Sequence, residues 1–157
     1  MTKFELKSLA EYFGTKLPAG KIQNRDVRIA IVRLYGSLAV ANKAITEEVE
    51  ALRKGLVGDN EEKILKWVEL RQKAASAKDE KEAKKLQKEA DAMTECVQID
   101  KDFSEALQKL HAEEADADIK KVPLEVLYEA LADCGFPNFK EDLPIAAVEQ
   151  IFAPVIV

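Results

Sequence analysis

The chain has 157 residues, 47% of them apolar and 34% charged, with a net charge of −5. That length can bury a real core and makes a single domain over 1–157 the default expectation, while the acidic balance argues against a general nucleic-acid binder. Five Pro and six Gly leave long uninterrupted runs, which favours helix. The charge is uneven: residues 1–44 carry net +5, residues 45–101 net −2 and residues 102–157 net −8. Opposite signs at the two ends would help the termini dock on each other.

In chain order, Thr2 to Leu6 supports two readings. One is a short strand over Lys3 to Leu6, with Phe4 and Leu6 on one face. The other is a first helical turn, with Thr2 and Glu5 as a capping box. The strand is the favoured reading, followed by a helix from about Lys7 to Phe13, where Leu6, Leu9, Ala10 and Phe13 keep helical spacing. Gly14 to Gln23, with Pro18 and Gly20, reads as a loop.

The long run from Asn24 to about Leu56 organises the rest. Val27, Ile31, Leu34, Leu38, Ala41 and Ile45 alternate four- and three-residue steps, the mark of a coiled-coil-like seam. It resumes at Val49, Leu52 and Leu56 after an extra four-residue step, a stutter that locally unwinds a supercoil. Ile29, Ala30, Val32 and Tyr35 widen the stripe and predict a second neighbour there. Asn24 can cap the run, and Gly55, Gly58, Asp59 and Asn60 break it. Asp59 with Glu62 reads as a second capping box.

The return arm runs from Asn60 to about Ala115. It starts with an apolar stripe of Ile64, Leu65, Val68 and Trp67. An Ala-, Lys- and Glu-rich stretch follows, with a thin seam at Ala83, Leu86, Ala90, Met93 and Val97. Ile99, Phe103, Ala106, Leu107 and Leu110 thicken it. As one helix this arm would be roughly 84 Å long, far more than the roughly 50 Å of the first arm, so a break is expected near Ser76 to Asp79. Glu113, Glu114, Asp116 and Asp118 close the arm, and acids oppose the dipole there, so the helix is expected to stop early.

Ile119 to Val122 is a candidate strand, and Pro123 suits the first turn of a helix to about Asp133 with Leu124, Leu127, Tyr128 and Leu131 buried. Phe136 to Glu141 reads as a loop, with Phe136 and Phe139 as candidate partner contacts. A short helix is expected from Pro144 to about Phe152. The apolar tail Pro154 to Val157 predicts a final strand or a docked end. The fold expected is mainly α: a long antiparallel helical hairpin over 24–115, with or without a third short helix. Residues 1–23 and 116–157 would form a small α+β cap, a sheet pairing Lys3–Leu6, Ile119–Val122 and the tail.

Chemistry-bearing residues are sparse. His111 is the one histidine; a general base or metal ligand needs partners that the sequence does not supply. The acidic cluster lacks the spacing and Gly of a calcium loop. Cys96 and Cys134 lack metal-like spacing and read as small buried residues in a reducing, cytoplasmic protein. Phosphate-binding glycine loops are absent, as are an N-terminal signal segment and any apolar run near the length a bilayer needs. No catalytic, cofactor-binding or metal residue is assigned. Lys21, Arg25, Arg28 and Arg33 form a modest basic patch that suggests phosphate contacts as an alternative role.

Leu17, Gly20, Lys21, Asn24 and Arg25, followed by the Leu34 to Leu56 seam, carry one resemblance. Together with the element order, they resemble an uncharacterised family of small helical proteins from phage and prophage genomes, which often has Ser where this chain has Asn24. The resemblance implies no known activity; it points to an accessory or assembly protein. The expectation is thus a non-enzymatic interaction protein, a homo-oligomer with the dimer as simplest case, without nucleic acid or membrane.

Overall fold

The computed structural model describes residues 1–135 and 145–157, and the side chains among them except at 145–147. The loop expected over 136–141, with Phe136 and Phe139, and the start at Pro144 lie outside the described residues. Mainly helical structure is found: α1 (Lys3–Lys16), α2 (Arg25–Val57), α3 (Glu61–Ser76), α4 (Glu80–Asp91), α5 (Thr94–Ala112), α6 (Leu124–Asp133) and α7 (Ile145–Phe152), with short 3-10 turns between some of them. The chain divides into two compact units, Met1–Thr46 with His111–Val157, and Glu47–Leu110. Both α2 and α5 run through the division.

In the first unit the expected strand at Lys3–Leu6 is overturned. The capping box forms instead: Thr2 N donates to Glu5 Oε2 at 2.8 Å, and Glu5 N donates to Thr2 Oγ1 at 3.2 Å. Continuing as helix buries Leu6, Leu9, Ala10 and Phe13 on one face, which a strand of four residues could not do. The α+β cap is overturned with it, since no strand occurs among the described residues. Two isolated bridges stand in its place, Thr2 with Glu114 and Val122 with Ile156. Lys3 N donates to Glu113 O and Ala115 N to Met1 O, both at 2.9 Å. The second bridge does not lengthen, because α6 begins at Leu124 on one side and the tail turns at Ala153–Val155 on the other. The apolar tail is docked as expected, with Val155 buried and Phe152 edge-on to Phe13 at 6.0 Å.

The seam of α2 holds over its first part; Ala41 and, after the stutter, Val49, Leu52 and Leu56 are only half-buried, and Val57 rather than Leu56 enters the core. Val27, Ile31, Leu34, Leu38 and Ile45 are all buried. Asn24 Oδ1 caps the helix by accepting from Asp26 N at 3.0 Å. Gly58, at φ +50°, ends it in a left-handed turn that glycine adopts without a Cβ clash. Asp59 forms no capping box; α3 begins after Asn60, without a side-chain cap.

In the second unit the return arm breaks where Ser76 to Asp79 predicted, and Asp79 Oδ1 caps α4 by accepting from Lys81 N at 2.9 Å. A second break at Ala92–Met93 was not legible. It shifts the helical phase, so Cys96 rather than Val97 enters the core with Val57, Ile64, Trp67 and Ala90. Leu65 and Val68 also point outward, contrary to the expected stripe. The three-residue connection folds α4 back along α3. Lys63–Glu95 at 2.8 Å and Arg71–Asp100 at 3.6 Å join α3 to α5 in the same order along both, so these two run in the same direction. Helix α5 stops at Ala112, just before the acidic cluster, as the dipole argument requires.

Candidate interaction surface

The candidate catalytic and metal groups do not assemble. His111 lies in the last turn of α5, its ring tilted 52° on Phe4 at 5.9 Å and its Nε2 buried without a hydrogen bond. Among the described residues no group of three or more His, Cys, Asp or Glu is placed to hold a metal. Of the acidic cluster, Glu113 pairs with Lys3 at 2.8 Å, Asp118 pairs with Lys120, and Glu114 sits in a backbone bridge. Cys96 and Cys134 are free thiols. Burial pushes both upward from the ordinary thiol range, and Cys134 Sγ donates weakly to Pro18 O at 3.8 Å. A thiol so placed is a poor nucleophile. Burial, with Cys134 nearby, also pushes Tyr12 up to about 12.

Nor does the basic patch converge. The Arg28 guanidinium is spent on its own chain, with Nε donating to Ile22 O at 2.8 Å and Nη2 to Gln23 O at 3.4 Å. This fastens the loop that leads into α2. Arg25 and Arg33 are separated by two helical turns, about 12 Å, and Arg33 borders a different groove.

What the structure does present is an exposed face of α2. Ile29 is 37%, Val32 49% and Val40 74% exposed. Tyr35, expected on the same second side, is 40% exposed and leans toward α1: its hydroxyl would lie 3.1 Å from a Cβ on Gly14, so a larger residue there would push the ring aside. Around Val40 the face runs Arg25, Ile29, Val32, Gly36, Val40, Lys43 and Glu47, at helical steps of three and four, and all seven are exposed. Beside it lies an open groove of about 760 Å³ between α2 and the segment 116–120, lined by Arg33, Gly36, Ser37, Val40 and Ala44 on one side. Lys120 N donates to Ser37 Oγ at 3.0 Å, and Ser37 Oγ donates to Leu34 O at 2.7 Å, which pins that segment. Sequence reasoning missed Val40, which falls two residues past the buried Leu38 and outside the widened stripe.

One expectation needs amending. Within the helical run Arg25–Ser76, a window reaches a mean hydropathy of 1.2, long and apolar enough to cross a membrane by length and composition. Only 22% of it is buried, so the window and the exposed face of α2 express the same excess of apolar surface. A second apolar cleft, about 550 Å³, lies between α1 and α7 and is lined by Phe4, Leu9, Tyr12, Ile151, Phe152 and Pro154. No protein-family model, curated protein or solved structure matches the chain.

Proposed function

We propose that this chain is a non-enzymatic assembly or accessory protein that works by protein–protein contact, as a homo-oligomer and in the simplest case a dimer. The observation that carries the reading is the exposed apolar face of α2 at Ile29, Val32 and Val40. Contiguous apolar surface on a water-facing protein usually marks an interface, whereas single exposed residues do not. Supporting it, Lys3 with Glu113, Arg28 and Asp79 serve as an ion pair, a loop fastening and a helix cap rather than as parts of a shared reaction centre. The two thiols fit a reducing, cytoplasmic setting. The resemblance to small phage and prophage proteins agrees with an accessory role. Neither a cofactor nor a metal is required.

Sedimentation velocity and size exclusion with light scattering test this. The expected result is a mass that rises from one 17.5 kDa chain toward two with concentration. A single-chain mass throughout the micromolar range overturns self-association. A phosphate-binding role, through Arg25 and Arg33, predicts instead an affinity for nucleic acid that falls steeply with salt.

A further inference from the structure

We infer that two copies of this chain pair antiparallel along α2, with the two-fold axis passing through Gly36. This rests on the assembly reading above and specifies its partner and register. The exposed face has steps of four, three and four residues from Arg25 to Gly36, and four, three and four again from Gly36 to Glu47. It therefore reads the same from either end, as an isologous contact requires. Antiparallel pairing about Gly36 sets Val32 against Val40 of the second copy on each side of the axis. It sets Ile29 against the aliphatic stem of Lys43, and Arg25 against Glu47. A parallel pairing would instead stack Arg25, Lys43 and Glu47 each on its own like charge, which is unfavourable.

Gly36 occupies the point of closest approach. A Cβ there meets nothing within 4 Å in its own chain, so the fold itself does not need glycine at this position. A small residue at a helix crossing lets two backbones draw near. Glu47 already interacts within its own chain, so Arg25 of the second copy would share that carboxylate rather than capture a free one. The paired stretch, residues 25–47, is about 33 Å long, which puts the contact at the small end of specific interfaces and predicts concentration-dependent pairing.

The test uses the full-length chain and four variants in sedimentation velocity, with circular dichroism to confirm folding. Gly36→Glu fits the open space, favours helix over glycine, and places two carboxylates face to face on the axis. It is expected to weaken pairing at least about tenfold without loss of helicity. Arg25→Glu and Glu47→Arg are each expected to weaken it about three- to tenfold, and the double exchange to restore it to within about twofold, because only antiparallel pairing reunites the swapped charges. If the wild type dimerises but none of these variants changes it, the register is overturned while the assembly reading stands. A wild type that stays monomeric overturns both. A monomer that co-sediments with phosphatidylcholine–phosphatidylglycerol vesicles, and loses this on Gly36→Glu, overturns the proposal in favour of a lipid occupant.

Discussion

Leu38 and Val40 are two residues apart on the same helix, and the structure gives them opposite fates. Leu38 is 0% exposed and Val40 is 74% exposed. Leu38→Ala removes three buried carbons, about 2.4 kcal/mol at roughly 0.8 kcal/mol each. The cavity left behind adds to this, which brings the expected loss into the range of about 2–5 kcal/mol. Val40→Ala removes methyl groups that water already reaches, so its effect should stay within about 0.5 kcal/mol. The better helix propensity of Ala offsets part of even that. With a urea slope of about 2 kcal/mol per molar, Leu38→Ala should lower the unfolding midpoint by about 1–2.5 M, and Val40→Ala should barely move it. Lys85→Ala, on the exposed side of α4, serves as a second neutral control. The assay is far-UV circular dichroism in urea, at concentrations where the chain is a monomer. Equal shifts for Leu38→Ala and Val40→Ala would refute the assignment of the α2 seam.

The two glycines at the end of α2 should respond with opposite signs. Gly58→Ala forces a Cβ onto a residue at φ +50° and should cost about 1–2 kcal/mol, whereas Gly55→Ala, in open space within the helix, should stabilise by about 0.5–1 kcal/mol. Thermal melts decide this, and a shared sign would contradict the turn geometry. With Ellman's reagent, Cys96, 1% exposed in the core of the second unit, should react only on unfolding; prompt reaction of both thiols would refute that core. Stability should also fall in alkali. Burial raises Cys96, Cys134 and Tyr12 in the folded state, so the unfolded chain loses these protons first. Their contribution is complete below the unfolded thiol value of about 8.5 and is lost as pH rises through the folded values. Urea midpoints that stay flat from neutral pH to about 11 would contradict it.

The periodicity of α2 was legible because a seam of Val27, Ile31, Leu34, Leu38 and Ile45 is a local property: spacing and side-chain size suffice to say which face turns inward. The same holds for the Asn24 and Asp79 caps and for the helix stop before Glu113, where one side chain or one dipole acts over a single turn. The strand over Lys3–Leu6 gives way for a reason the sequence contains, since the Thr2–Glu5 capping box outweighs an apolar alternation only four residues long. Other features were out of reach. The break at Ala92–Met93 has no Gly or Pro to announce it, and it exchanges Val97 for Cys96 because packing on Ile64 and Trp67 decides the phase. Whether Arg28 faces solvent or ties down the Ile22 carbonyl depends on how the preceding loop folds back. Local spacing determines which residues of α2 can be buried; which apolar residues stay uncovered is set by every other segment competing for the same surface, so Leu38 is sealed in the core while Val40, two residues on, is left to water.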